Sequence, residues 1–167
     1  AEMAEAQTAA PALSVSVETV VWLAVIGSAA ALRLARLDHL PLNVDESVRA
    51  FAAWQTSEGD TPANWPGDMT AALTAYVFSI FGSSDLVARL LPALAGSALV
   101  ALFWPLSRYV GGSALIAAGL VAFSPLLVHL SRSGLPYSVG AFLSLAMVVS
   151  LFAYLRTQRP QYLFVLI

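Results

Sequence analysis

The sequence predicts an all-α fold, a polytopic bundle of transmembrane helices with further helices at the membrane surface. Hydrophobic residues make up 59% of the chain and charged residues only 11%, and the mean hydropathy is +0.77. These values lie far from the averages of soluble domains. Apolar segments of about 20 residues, the length that crosses a bilayer, are separated by short polar turns. The apolar and polar alternation typical of strands is absent from the sequence.

The predicted elements follow in chain order. Residues 1–17 are rich in Ala and Ser and carry no basic residue, which predicts a poorly ordered tail and not a secretory signal. Residues 18–167 form the predicted transmembrane domain. Its four predicted crossings are 19–37, 86–106, 113–130 and 137–155. The apolar run after Pro160 has the composition of a further crossing, so we expect the sequence to be part of a longer protein.

Between the first two crossings lie a predicted external loop, residues 38–68, and a short apolar segment, Met69–Phe81. This segment has 13 residues, fewer than the ~20 that a transmembrane helix needs. We therefore predict an interfacial helix over Met69–Phe81. If it does not cross, Asp45 and Arg89 lie at the same face of the membrane.

Two adjacent carboxylates, Asp45 and Glu46, occupy the first loop. Asn43 with Glu46 three residues later predicts a capping box, which places both acids in the first turn of a helix over residues 43–55. The helix is predicted to be amphipathic, with Val44, Val48 and Phe51 on its apolar face. Acids in a first turn also stabilise the helix dipole without any chemistry, so this simpler interpretation stays open.

Charge and cysteine content exclude several classes of protein. All eight basic residues are arginines and the net charge is −2, which gives no basic stripe for nucleic acid. The absence of cysteine excludes disulfides and thiolate metal sites. His39 and His129 are far apart in sequence and give no zinc or haem signature, so each is predicted to be an interfacial or hydrogen-bonded histidine.

Several short motifs follow one another in a fixed order. They are Arg33 and Pro41 before Asp45-Glu46, then Phe81-Gly82-x-Ser84, then Ala88-Arg89-Leu90-Leu91-Pro92-Ala93-Leu94-x-Gly96, and finally Ser124-Pro125 leading to Ser131-Arg132. In order and spacing they resemble the GT-C glycosyltransferases that use polyprenyl-phosphate sugars, such as protein O-mannosyltransferases and aminoarabinose transferases. The resemblance runs from about residue 33 to residue 155 and implies the N-terminal part of a GT-C fold.

The resemblance also implies roles for individual residues. Asp45 and Glu46 would be catalytic, with Asp45 as the base or as a ligand of Mg²⁺ or Mn²⁺, and Glu46 orienting it or sharing the ion. Arg89, with Arg132 as a second candidate, would bind the phosphate of the donor. Sugar transfer from a phosphate to a hydroxyl or amine needs such a base and such cations. An arginine one turn inside a membrane helix can equally extend to lipid headgroups, and this alternative stays open for Arg89.

Two departures from the family pattern suggest a chain that is incomplete, degenerate or inactive on its own. Related sequences commonly carry an acid soon after the Ser-Arg of the later loop, whereas Arg132 is followed by Ser133, Gly134, Leu135, Pro136 and Tyr137. The element expected near the end of the first loop appears only as Trp65-Pro66-Gly67-Asp68. The alternative is a non-catalytic accessory subunit of a larger membrane complex, for example an electron-transfer complex. Its helices would pack through their small-residue faces.

The expected location is the bacterial plasma membrane, and the expected partners are membrane lipid, other membrane subunits and, in an active protein, a polyprenyl-phosphate sugar. The family arrangement places one group of arginines outside the membrane, namely Arg33, Arg36, Arg49, Arg89 and Arg132. Arg108, Arg156 and Arg159 then lie inside. This opposes the positive-inside rule, but arginines that bind phosphate are not topology signals.

Overall fold

The fold is given by a computed structural model that describes residues 16–39, 41–159 and 161–162. All regular secondary structure in these residues is helical, which confirms the predicted all-α class. Residues 1–15 of the predicted tail lie outside the described residues. The helices are α1 (Val17–Leu34), α2 (Val44–Ser57), α3 (Met69–Phe81), α4 (Asp85–Ala101), α5 (Phe103–Val110), α6 (Ser113–Phe123), α7 (Pro125–Arg132) and α8 (Tyr137–Thr157).

Three helical stretches of the described chain are long and apolar enough to cross a membrane. They are α1, α8 and the continuous stretch formed by α4 and α5, Asp85–Val110. Each coincides with a crossing predicted from the sequence. The chain is therefore an integral membrane protein, and the count rises to four spans if α6 and α7 together form one.

The predicted crossing over residues 113–130 is interrupted, because the chain bends by 60° between α6 and α7. Ser124 has an extended backbone, with ψ near 118°, and Pro125 starts α7 at its first position. Proline has no N–H and disfavours helical backbone in the residue before it, so α6 must end here. The Ser124 side chain then accepts the N–H of Leu127 and caps the new helix.

The first hydrophobic core lies where α1, α4 and α6 meet. Its buried members are Trp22, Ala29, Val100, Ala114, Ala118 and Ala122. The three alanines of α6 follow the spacing of one helix face, and their small side chains let the helices approach closely. Trp22 fills the remaining space and stacks on Trp104 with ring centroids 6.4 Å apart. The small-residue face of α6 therefore packs within the chain itself.

A second core joins α2 and α3 to the start of α4. It contains Ala53, Ala75, Phe78, Val87 and Ala88. The predicted capping box at the start of α2 is present, since Asn43 and Glu46 each accept the other's backbone N–H. α3 measures about 20 Å at 1.5 Å per residue, shorter than the ~30 Å hydrocarbon core. Its interfacial position remains a prediction.

The contacts between helices separate the arginines of the described residues into two groups. Arg156 donates to the backbone carbonyl of Arg108 at 3.3 Å and lies over the Tyr109 ring, at the junction of α5 and α8. The chain between Arg89 and Arg108 is a continuous helical stretch, so Arg108 lies at the opposite end of the bundle from Arg89. Glu46 contacts Arg89 directly. The first loop and the start of α4 thus meet at one end, as the sequence predicted.

Asp68 connects α3 to α2 in two ways. Its carboxylate accepts the N–H of Ala71 at 2.9 Å, which caps α3, and pairs with Arg49 of α2 at 2.5 Å. Burial raises the pKa of Asp68, but the hydrogen bond from Arg49 and those from the backbone of Ala71 and Thr70 outweigh it and leave the pKa below its usual value. The ionised form of Asp68 therefore stabilises the folded protein.

We expect the Asp68→Asn protein to be less stable than the wild type at neutral pH, by up to about 1 kcal/mol, since asparagine still caps α3 but lacks the ion pair. The pKa is lower in the folded state, so the contribution is complete above the unfolded value of about 4 and is lost as pH falls through the folded pKa. Denaturation in detergent between pH 2.5 and 7 measures it. A difference that stays constant across this range would contradict the assignment.

Candidate functional site

A polar pocket of about 220 Å³ opens where the first loop, the end of α1, the start of α4 and the end of α7 meet. It is lined by Arg36, Leu37, Pro41, Asn43, Glu46, Arg89, His129, Arg132 and Ser133. The set contains three guanidinium groups and one carboxylate. Because positive charge is in excess, the pocket is suited to an anion.

Glu46 and Arg89 form a buried ion pair on the wall of this pocket. The Glu46 Oε2 atom lies 2.6 Å from Nη2 of Arg89 and 3.2 Å from its Nε. The side chains are 4% and 8% exposed, respectively. Arg89 also donates to the backbone carbonyls of Leu37 at 2.9 Å and Pro41 at 3.0 Å. The pair therefore joins α4 to α2 and to the segment that connects α1 with α2.

The first turn of α2 positions the two acids differently. Glu46 is the third residue of the helix and reaches back to accept the N–H of Asn43 at 3.3 Å, which directs its carboxylate toward Arg89. Asp45 precedes it by one position, about 100° around the helix, and is exposed. Asp45 does not line the pocket. The structure thus separates the two carboxylates that the sequence places side by side.

Arg132 lies at the end of α7 and closes the pocket on the side of α1. Its Nη1 donates to the carbonyl of Leu32 at 2.7 Å and its Nη2 to the carbonyl of Arg36 at 3.1 Å. The Leu32 carbonyl is in the last turn of α1, where no intrahelical N–H remains for it. Arg132 therefore caps α1 while its guanidinium contributes to the pocket.

Arg36 and His129 line the pocket, although the sequence analysis assigned neither of them to the candidate site. Arg36 follows α1 with a φ of 52°, in the left-handed region that few residues other than glycine adopt, and is exposed. His129 precedes Arg132 by three residues and so shares its face of α7. This spacing was available in the sequence, but it gains meaning only once α7 is known to be a separate helix ending at the pocket.

The resemblance implies Mg²⁺ or Mn²⁺ beside Asp45 and Glu46. Such ions need several oxygen ligands, preferably carboxylates. Glu46 is engaged with Arg89, and Asp45 does not line the pocket. In the part of the chain that the structure describes, no three His, Cys, Asp or Glu side chains come together. The described residues alone therefore do not form such a site, and the cation stays a prediction.

A bundle of apolar helices with a pocket at one end whose lining carries an excess of positive charge defines the class, a polytopic membrane protein. Residues 66–167, more than half of the chain, match the family model of dolichyl-phosphate-mannose-protein mannosyltransferases. The chain belongs to this family, which confirms the GT-C resemblance. The matched stretch includes Arg89 and Arg132 and begins after α2. No curated protein and no solved structure matches the chain.

The buried pair yields a test by a double-mutant cycle. We expect Arg89→Met to lower the free energy of unfolding by about 3–5 kcal/mol, because it leaves the Glu46 carboxylate buried without its partner. The Glu46→Met, Arg89→Met double variant should recover much of this loss, since two buried charges are removed together. Denaturation in detergent of the wild type, the two single variants Glu46→Met and Arg89→Met, and the double variant measures the cycle. A double variant as unstable as the sum of the single ones would show that the pair is not coupled.

Proposed function

We propose that this chain forms the donor-binding part of a membrane glycosyltransferase that moves a sugar from a polyprenyl-phosphate carrier to an acceptor hydroxyl or amine. The observation that carries the proposal is the convergence of Arg36, Arg89 and Arg132 on one pocket with a single carboxylate, Glu46. The pocket lies at the end of the candidate spans. A phosphate attached to a lipid chain would reach this position, and family membership supports the same chemistry.

The geometry favours different tasks for the three arginines. A guanidinium has five N–H donors, and Arg132 uses one on each of two carbonyls, which leaves others for a ligand. Arg36 is exposed, and its side chain makes no hydrogen bond within the described residues. Arg89 is bonded to Glu46 and to the backbone. We assign the phosphate contacts to Arg36 and Arg132, with the charge of Arg89 supporting them from the pocket wall.

In the proposed reaction the acceptor oxygen or nitrogen attacks the anomeric carbon and forms the new glycosidic bond. The bond from that carbon to the phosphate oxygen breaks, and its electron pair leaves on the phosphate, where the arginines stabilise the charge. The acceptor proton passes to Asp45, which is exposed and one residue from the pocket residue Glu46. A single displacement inverts the anomeric centre. Glu46 has a positioning role, since it fixes the first turn of α2.

We expect Asp45→Asn to lower kcat by about 100-fold or more while the protein folds normally, because an exposed acid contributes little stability. Sugar transfer from a radiolabelled polyprenyl-phosphate sugar by the purified protein measures it. Asp60→Asn, which changes another exposed acid of the same loop, is the matched control and should leave kcat unchanged. An unchanged kcat in the Asp45 variant would exclude Asp45 as the base and leave it only the role of stabilising the first turn of α2.

Arg36→Met should raise the KM for the donor by roughly 10- to 100-fold, the loss expected for a hydrogen bond to a charged group. Arg108→Met removes an exposed arginine at the opposite end of the bundle and serves as the control. Equal KM values in the Arg36 and Arg108 variants would contradict the proposal that Arg36 contacts the donor phosphate.

The accessory-subunit alternative gives a different outcome in the same preparation. A wild-type protein that transfers no sugar, and is stable only when purified with larger membrane subunits, would favour that alternative over the transferase. Stable, active protein without such subunits would exclude it.

A further inference from the structure

Arg33 is buried among α1, α4, α6 and α7, where it is 1% exposed. No carboxylate pairs with it among the described residues. Its guanidinium donates instead to three backbone carbonyls, those of Ala29 at 3.2 Å, Ala122 at 3.1 Å and Val121 at 2.9 Å. Burying an arginine costs free energy, so an arginine that bonds the main chain of two different helices is expected to have a specific role.

Two of these carbonyls, those of Val121 and Ala122, lose their intrahelical partners because of the bend between α6 and α7. In a continuous helix the carbonyl of Val121 would accept the N–H of residue 125, but that residue is Pro125, which has none. The carbonyl of Ala122 lies in the last turn of α6, and α7 starts in a new direction. Arg33 and Ala122 are fully buried, so water does not replace the missing donors. Arg33 supplies both.

We infer that Arg33 is a positioning residue that holds the bend between α6 and α7 and so places the end of α7 on the pocket. α7 has eight residues and is about 12 Å long. Straightening a 60° bend would move its far end by on the order of 10 Å. His129 and Arg132 lie near that end and would leave the pocket. The consequence for donor binding rests on the proposed function, whereas the bend itself does not.

Gly96 is the second part of this arrangement, because it lets α4 approach α7 and Arg33. A Cβ at position 96 would lie 2.5 Å from the Cβ of Ser131 and 3.3 Å from Nε of Arg33. Real Cβ atoms do not approach another carbon so closely, so any side chain here must displace α7. Ser131 precedes Arg132 directly. The contact between Gly96 and Ser131 therefore fixes the depth at which α7 sits, and Arg33 fixes its angle.

A role in stability alone would predict a different response to substitution. If Arg33 acted only by filling space, Arg33→Met would keep the position of α7. If Arg33 caps α6, the same substitution leaves the carbonyls of Val121 and Ala122 without this donor. We then expect α7 to change its angle so that the Ala122 carbonyl can accept the N–H of Leu126, whereas Pro125 offers none to Val121.

The chain contains no cysteine, so spin labels can be attached at two introduced cysteines without removing native ones. We choose Val44 on α2 and His129 on α7, both exposed. Electron–electron distance measurements on the protein in detergent should show a shift of several ångströms, about 5 Å or more, in Arg33→Met. Arg33→Lys should shift less, since its ammonium can still donate. Arg36→Met, three residues along the chain and exposed, is the control and should show the wild-type distance.

Gly96→Ala gives an independent arm that keeps Arg33 intact, for the case in which Arg33→Met fails to fold. It should displace α7 in the same assay and raise the KM of the donor with a smaller effect on kcat. Adding Ser131→Gly removes the Cβ that the new methyl group meets, and should restore both the distance and the KM. Rescue of this kind is not expected from a general loss of stability.

An unchanged distance in a folded Arg33→Met protein would overturn the inference, as would Gly96→Ala without displacement of α7. If the variants show the expected distances but the wild-type protein transfers no sugar, the proposed function is contradicted and the positioning role of Arg33 stands. The two failures are therefore distinguishable in one set of proteins.

Discussion

The fold depends above all on the pairing of main-chain carbonyls where helices end, because the last carbonyls of a helix have no partner within that helix. Arginines supply the donors at the pocket end. Arg33 bonds the end of α6, Arg132 bonds the end of α1, and Arg89 bonds the carbonyls of the segment after α1. In each case one element's arginine caps another element. The helices that form the pocket are thus held together by arginine side chains of one helix that donate to backbone carbonyls of another element.

This explains why arginines of similar sequence context have different tasks. An arginine near the end of a membrane helix is commonly interpreted as extending to headgroups or binding a phosphate. Arg33 is separated from Arg36 by only three residues, yet Arg33 is buried and Arg36 exposed. α1 ends between them, and the left-handed backbone at Arg36 turns its side chain out of the helix direction. Where the helix ends decides which arginine can meet a ligand.

The sequence predicted the features that arise locally. Apolar length located α1, α4 with α5, and α8, and the Asn43 to Glu46 spacing located the start of α2, because both signals lie within one element. The bend at Ser124 was missed although Pro125 signalled it, since the apolar run on either side outweighed one residue. The pairing of Glu46 with Arg89 joins residues 43 positions apart, which no local pattern reports. The different directions of Asp45 and Glu46 follow from 100° per residue, but the buried side is known only from the tertiary contacts.

The Glu46 to Arg89 pair also determines the electrostatic character of the pocket. Because the charge of Glu46 is offset by Arg89 at 2.6 Å, the uncompensated charges on the lining are those of Arg36 and Arg132. Two cations at a pocket mouth attract a phosphate and repel a metal cation that lacks a ligand of its own. In the proposed function, the base that accepts the acceptor's proton therefore lies outside the pocket lined by these arginines. Asp45 meets that condition because it projects from the same turn of α2 in another direction, so donor and acceptor would approach that turn from different sides.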